Sequence, residues 1–490
     1  MKTISSSIPN HMDREIAGLT LDSRQVAANY LFIAIQGTQQ NGGQYIADAI
    51  ARGATAILID TDKVDVAMQA PQQIPIINVP ALASQISQLA ACFYDYPAEK
   101  LRLLGVTGTN GKTSCTHFIA QSLQAAQIAC GVIGTLGAGF LGHLQEIGLT
   151  TPDAITLQAM LRHLLDQQAQ AVAMEVSSHS IAQERVNQLA FETALFTNLT
   201  QDHLDYHGDM ATYAAVKYRF LSAFNVKHIV INAADSYGAN WLQQLSKDKK
   251  KSVYAYSMHS PVSLSKHVPL VYTSEAHFSL QGIRAIVQTP WGSGEFSAPL
   301  IGHFNLNNLL AVLTVLCLYG MPLKNVLASF AALRPIAGRM QTLGGTGKPL
   351  VVVDYSHTPD SLENALRALR PHTKGKLICV FGCGGDRDQG KRPLMAKIAE
   401  TLADVVIVTN DNPRHEQPMA IAEQIMQGFI HPQTVSVELD RAKAIQNSIQ
   451  LAGAEDCVLI AGKGAERYQQ LGDEKIPFSD VEQVEGYWGR

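Results

Sequence analysis

Short, nearly unbroken apolar runs separated by amphipathic stretches dominate the middle of the chain. LRLLGVTG (101–108), AVAMEV (171–176), ALFTNLT (194–200) and KHIVINAAD (227–235) each end in polar residues, the pattern of parallel strands covered on both faces. TSCTHFIAQSLQAA (113–126) is predicted as the helix after the first of them. The same alternation occurs earlier, in YLFIAIQG (30–37), the helix-like GQYIADAIARG (43–53), TAILID (55–60) and IPIINV (74–79). It returns in LVVVDYS (350–356), KLICVFG (376–382), ADVVIVTN (403–410) and DCVLIAG (456–462), each followed by a polar loop and a helical pattern. The expectation is an α/β protein of three domains. Residues 1–98 form a small α/β unit, 99–333 a central doubly wound sheet around a P-loop, and 334–490 a Rossmann-like domain. Pro and Gly in LRPIAGR (333–339) interrupt a helical stretch and suggest a hinge there.

A length of 490 residues suits about three domains at roughly 150 residues each. The net charge of −4 gives no global field for nucleic acid or an anionic membrane, so an anionic ligand must be met by locally placed cations and backbone N–H groups. Seven cysteines lie mostly inside apolar runs without metal-ligand spacing and read as reduced core thiols. No signal-peptide core precedes residue 19 and no apolar run approaches the roughly 20 residues of a membrane span. A cytoplasmic location is expected.

Chemistry enters with GVTGTNGKTS (105–114). It nearly matches the P-loop pattern, with Val106 where the first glycine normally stands. Strand, glycine loop and helix occur in the order that lets backbone N–H groups of Gly108, Thr109, Asn110 and Gly111 cradle a diphosphate, with Ser114 following. Lys112 would neutralise phosphate oxygens and Thr113 would place its hydroxyl on Mg²⁺. Motors, switches, kinases and ligases all use such loops. FGCGGDRDQG after an apolar strand also raises a dehydrogenase, though the third fingerprint glycine is missing. Taken alone, Glu175 could cap the next helix, His203 reads as a loop histidine, Lys217 as a solvated helix lysine, and DNPR (411–414) as an Asx-type turn.

TGTNGKTS resembles the ATP loop of the Mur ligases and the related folylpolyglutamate synthetases. The resemblance covers nearly the whole chain and implies ATP-driven amide formation through an acyl phosphate. It implies Mg²⁺, with two ions, held by Thr113, Glu175, His203 and a carbamate formed from CO₂ on Lys217; Lys112 completes the catalytic set. Asn305 in GHFNLNN (302–308), Arg339 and Asp354 are similar to residues that complete the ATP site. TLDSR (20–24) and GTQQNGG (37–43) are similar to a uridine-nucleotide site, which gives Leu21, Ser23, Thr38, Gln39 and Gln40. Thr150, Thr151, Ser177, Gln183 and Arg185 match contacts to a UDP-MurNAc-L-Ala-D-Glu substrate. DNPR resembles the signature of members that add meso-diaminopimelate. Arg414 would pair bidentately with the carboxylate that lysine lacks, while Arg387, Asp411, Asn412, Pro413, Gly462 and Glu466 would hold the rest. A lysine-adding or other Mur ligase stays open beside this reading. The partners expected are these small molecules, with no nucleic acid or membrane and a monomeric chain.

Overall fold

The computed structural model describes residues 14–37, 41–60, 74–248, 251–260, 267–345 and 347–489. Its architecture is α/β, built on three main sheets. The first contains β1 (Gly18–Thr20), β2 (Tyr30–Ala34), β3 (Ala54–Ile59) and β4 (Ile76–Asn78), all parallel and in sequence order. Its core joins Leu31, Ile33 and Leu58 to the helix Leu82–Phe93 and reaches Ala154 and Ile155, at the start of the helix Ala154–Asp166 beyond the second sheet's first strands. The N-terminal unit therefore has an apolar seat on the central one.

The second sheet has ten strands. They are β5 (Arg102–Thr107), β6 (Cys130–Gly134), β7 (Gly137–Phe140), β8 (Ala171–Glu175), β9 (Ala190–Phe196), β10 (Asn225–Asn232), β11 (Ser252–Ser257), β12 (Leu270–Ser279), β13 (Gly282–Thr289) and β14 (Gly292–Ala298). Their spatial order is β14-β13-β12-β11-β10-β9-β5-β8-β6-β7. β5 lies between β9 and β8, parallel to both. The carboxyl ends of these strands meet where the connections diverge, the usual place for a ligand crevice in an open α/β sheet. The helix Lys112–Ala125 packs on one face against the helix His303–Tyr319, which is apolar around almost its whole circumference and correspondingly buried.

β7 is antiparallel to β6, and β13 and β14 continue antiparallel from β12, which itself runs parallel to β11, an extension the doubly wound expectation did not include. β13 and β14 alternate buried and more exposed positions because one face meets solvent. Such strands lack the unbroken apolar runs that mark the parallel ones.

The third sheet runs in the order β15 (Gln341–Gly344), β16 (Leu350–Asp354), β20 (Cys457–Ala461), β17 (Leu377–Phe381), β18 (Val405–Val408) and β19 (Ser436–Val437). Every pairing except β15 with β16 is parallel. A separate hairpin, β21 (Tyr468–Leu471) and β22 (Glu474–Pro477), follows β20. Among the described residues no disulfide forms; six of the cysteines are buried and Cys92 is half-buried.

Candidate active site

The glycine loop links β5 to the helix Lys112–Ala125. Gly108 (φ +144°) and Gly111 (φ +87°) adopt backbone conformations that L side chains rarely reach. A Cβ on Gly108 would lie 1.9 Å from Thr197 Oγ1, and one on Gly111 would lie 2.6 Å from Asn308 Oδ1. Thr109 N donates to Asn198 O and Asn110 N to Asn198 Oδ1, both at 2.9 Å. The loop is thus fastened to the end of β9, and the first-turn N–H groups of the helix have no intrahelical acceptor. Ser114 is buried on that turn.

Glu175 ends β8 and is buried. Its Oε1 accepts from Thr113 Oγ1 and from Thr135 N, both at 2.9 Å. It is not a helix cap: Ser177 caps the following short helix through Ser180 N at 3.1 Å. Lys112 Nζ donates to Gly108 O at 3.0 Å, and Lys217 Nζ donates to the same oxygen at 2.9 Å. Lys217 is 1% exposed, so it is no solvated surface lysine. Burial and the nearby Lys112 push its amine well below the ordinary lysine range, with Asp202 opposing them.

A cluster of imidazoles adjoins these lysines. Burial, with His179 and both lysines adding to it against Asp202, pushes His203 down to about 3. Burial likewise takes His179 and His207 to about 4. The neutral rings pack around Tyr206 and Tyr213. Asp202 sits 3.4 Å from His203 Nε2, 3.5 Å from His357 Nε2 and 3.5 Å from Lys391 Nζ. Burial disfavours its carboxylate, but these three groups hold it well below the usual range.

His357 lies in the loop after β16 and Lys391 opens the helix Lys391–Leu402 of the third unit, so Asp202 stands on a polar seam between two units. Asn110 Nδ2 donates to Asp360 Oδ2 at 2.8 Å and Gln201 Nε2 to Asp388 Oδ2 at 3.1 Å along the same seam. Arg339 Nη2 reaches Thr113 Oγ1 at 3.1 Å and stacks over Tyr355.

The seam borders a cleft of about 580 Å³. Lys112, Lys217, His203 and Arg339 line it, together with Thr150, Thr151, Ser177 and Arg185 of the central unit. Arg387, Asp411, Asn412, Arg414, Gly462 and Glu466 line it from the third. Arg185 Nη1 donates to Thr151 O at 2.7 Å and its other terminal nitrogen donates to Gln183 Oε1. Asn412 Nδ2 donates to Glu466 Oε2 at 2.9 Å, and the buried Lys463 bonds both of these side chains. Arg414 Nη1 donates to Gly385 O at 2.8 Å. DNPR is a turn as well as a cleft wall, because Arg414 is left-handed at φ +50°.

Several expected residues stand apart from this cleft. Leu21 packs partly in the N-terminal core, and Ser23 is buried in the turn capped by Asp22. Thr38, Gln39 and Gln40 lie outside the described residues. Pro413 is buried behind Arg414. Asp354 is occupied by Met340 N at 2.7 Å and by the Ser356 hydroxyl, and burial raises its carboxyl. Asn305 Nδ2 turns back to Ile301 O at 2.8 Å. The sequence reading passed over His179, His207, Asp202, His357 and Lys391. Three of these occupy the quoted segments SSHS and TQDHLDYH, whose density of polar residues after apolar strands was the available signal.

A glycine loop and a buried carboxylate at adjacent strand ends, facing a Rossmann-like unit across one cleft, define a P-loop enzyme with a second substrate-binding domain. The chain belongs to the Mur ligase family. Residues 15–94 match "Mur ligase family, catalytic domain", 106–316 "Mur ligase middle domain" and 338–464 "Mur ligase, glutamate ligase domain". The chain is 46% identical to the UDP-N-acetylmuramoyl-L-alanyl-D-glutamate--2,6-diaminopimelate ligase of Coxiella burnetii, over 96% of this chain and 95% of that one. The Pseudomonas aeruginosa protein of the same name is 47% identical over 96% and 95%. A solved structure of a ligase of that name is 34% identical, with a TM-score of 0.66 over 96% of this chain and 94% of its own. MurF ligase from Thermotoga maritima, solved in complex with ADP, shares the fold at 16% identity and a TM-score of 0.64, over 93% and 95%.

Proposed function

We propose that the protein joins meso-diaminopimelate to the D-glutamyl carboxylate of UDP-MurNAc-L-Ala-D-Glu at the expense of ATP. One observation carries the reading: Lys112, Arg185 and Arg414 line a single cleft. The phosphate loop, a cation suited to the acyl substrate and a cation suited to a second carboxylate thus face one space. The names of relatives 43–48% identical to the chain agree with this acceptor.

In this reading the γ-phosphoryl group of ATP passes to a carboxylate oxygen and ADP leaves. The amine of diaminopimelate then attacks the acyl carbon, gives up a proton to solvent, and phosphate departs. A carboxylate oxide is a poor leaving group and phosphate a good one, which is why ATP is consumed. Gly108 to Ser114 hold the triphosphate, Lys112 offsets repulsion between phosphate and carboxylate, and Arg339 reaches in from the third unit. Asn305 and Asp354 act behind them, fixing the helix start and the Met340 backbone. Thr150, Thr151, Ser177, Gln183 and Arg185 orient the muramoyl dipeptide. The uridine end falls to Leu21, Ser23, Thr38, Gln39 and Gln40. Arg387, Asp411, Asn412, Pro413, Arg414, Gly462 and Glu466 receive the amino acid, with Glu466 suited to its ammonium.

The donor chemistry fits Mg²⁺. The Thr113 hydroxyl and Glu175 carboxylate are hydrogen-bonded at 2.9 Å, an all-oxygen pair of the type a hard cation selects. Among the described residues no three His, Cys, Asp or Glu side chains gather as a metal group, so phosphate oxygens and a carbamate would complete the coordination. When bound, two such ions would neutralise the anions brought together. His203, kept neutral, has a free lone pair for one of them. Burial and the nearby Lys112 lower the pKa of Lys217, which favours the neutral amine that reacts with CO₂ to give the carbamate.

The domain limits 1–98, 99–333 and 334–490 belong to this proposal, supported by the separate sheets they enclose. So do a monomeric state, supported by a cleft built from one chain, and a cytoplasmic location, where ATP and nucleotide-linked sugars are made. The test is incubation with ATP, Mg²⁺ and UDP-MurNAc-L-Ala-D-Glu plus either meso-diaminopimelate or lysine, with nucleotide products weighed by mass spectrometry. The expected product carries diaminopimelate, and phosphate release requires both substrates. A lysine product, or phosphate released without an amino acid, would overturn the assignment.

A further inference from the structure

The hairpin β21–β22 has no counterpart in the chemistry just described. It buries little: all four residues of β22 are exposed, and Leu471 and Ile476 are 44% and 43% exposed. A two-stranded ribbon of this kind is marginal on its own, and this one adds nothing to the core of the third unit. Its polar bonds run elsewhere. The outer edge of β21 pairs with a single residue of the facing loop, Arg414, in the manner of a parallel strand.

Arg414 N donates to Gln470 O at 3.0 Å, and Gly472 N donates to Arg414 O at 2.7 Å. Gln470 N donates to Asn412 Oδ1 at 3.0 Å, and Gln469 Nε2 to Asp411 O at 2.9 Å. Four bonds from this ribbon thus fix three cleft residues, Asp411, Asn412 and Arg414. They bracket a residue whose left-handed backbone is costly for a side chain larger than glycine. The hairpin also brings Tyr468 and Lys475 onto the cleft wall, with the Lys475 ammonium 4.2 Å from the Tyr468 ring centroid.

We propose that the hairpin 468–477 is a positioning element for amino-acid selection: by holding Arg414 in its left-handed turn it aims the guanidinium at the distal carboxylate of the incoming diamino acid. The inference rests on the acceptor assignment made above. It adds that discrimination depends on a ribbon separate from the glycine loop and from the Arg185 wall of the cleft.

A shortened chain tests it, with Gln469–Ile476 replaced by Asn-Gly. Tyr468 and Pro477 are paired across the ribbon, and Phe478 N donates to Arg467 O at 3.0 Å just below them. A two-residue turn can therefore close the stump. With little apolar surface removed, the thermal midpoint stays near that of the wild type. The KM for meso-diaminopimelate is expected to rise roughly tenfold or more, the scale of losing about 1.4 kcal/mol of alignment. The KM values for ATP and UDP-MurNAc-L-Ala-D-Glu stay within about twofold by the same scale, and preference for diaminopimelate over lysine narrows.

Gln470→Pro, which removes the N–H donated to Asn412 and the side-chain bond to Gly472 O, gives a smaller shift in the same direction. In an Arg414→Ala background the shortening changes diaminopimelate use no further. Unchanged preference in a folded shortened chain, or an equal loss with and without Arg414, would overturn the proposal. If the wild-type chain fails to couple diaminopimelate at all, the acceptor assignment itself has failed, an outcome distinct from either.

Discussion

Arg414→Ala isolates the contact that separates diaminopimelate from lysine. The arginine is partly buried, donates 2.8 Å to Gly385 O and sits beside Arg387; burial, with the charge of Arg387 adding to it, pulls its pKa down. Two guanidiniums in one cleft favour a carboxylate ligand. Removing one partner of a buried, hydrogen-bonded charge pair costs about 2–5 kcal/mol, and the half-open setting brings this to the lower end, about 2–3 kcal/mol. That corresponds to a rise of roughly 30- to 150-fold in the KM for meso-diaminopimelate. Alanine inherits the same left-handed backbone, so the fold gains no relief that would blur the comparison. Arg414→Lys keeps the charge but loses the planar fork and falls between the two. Initial rates of phosphate release at varied amino acid, with ATP and acyl substrate saturating, measure the effect. A change under about threefold, or an equal loss with lysine as substrate, would show that the guanidinium does not meet the second carboxylate.

Lys217→Ala is expected to abolish synthesis while ATP still binds by calorimetry, and short carboxylic acids added to the assay restore part of the rate; full activity without them removes the residue from the chemistry. Gly108→Ala places a Cβ 1.9 Å from Thr197 Oγ1. It should cost about 2–4 kcal/mol of stability and most nucleotide affinity, and Thr197→Ala in the same chain recovers part of the stability; a lone Gly108→Ala variant with native melting would contradict the packing described. Asp202 is held well below its usual pKa, so its contribution to stability is present above about pH 4 and disappears as pH falls through the lower folded value. The melting-temperature gap between wild type and Asp202→Asn therefore narrows on acidification, and a gap independent of pH would mean the seam does not hold an ionised carboxylate.

What could be read from the sequence follows the physics of burial. Parallel strands announce themselves as apolar runs, and LRLLGVTG, AVAMEV and KLICVFG correspond to β5, β8 and β17 within a residue or two. The strand predicted from Ala194 begins at Ala190, because Phe191 and Thr193 are buried while Glu192 between them pairs with Arg102 and Lys227. Alternation of that kind hides a strand among polar residues. The glycine loop was legible because its shape depends on residues close in sequence. Asp202 with His357 and Lys391 was not: three residues from distant segments meet only once two sheets have docked, and each alone looks like an ordinary surface polar group. Lys217 shows the limit most directly. Its helix pattern suggests solvent, while packing beneath the glycine loop makes it one of the most enclosed side chains in the chain.

The carbonyl of Gly108 accepts from two amines at once, and burial together with the nearby Lys112 disfavours a charge on Lys217. The charge carried at position 217 is consequently tied to the grip of the neighbouring lysine on an anion. Turning the former negative exchanges repulsion for attraction, and by reciprocity whatever strengthens nucleotide retention strengthens the modified form equally. If the carbamate proposed for Lys217 forms, dissolved carbon dioxide is expected to act as an effector whose apparent affinity shifts with nucleotide occupancy.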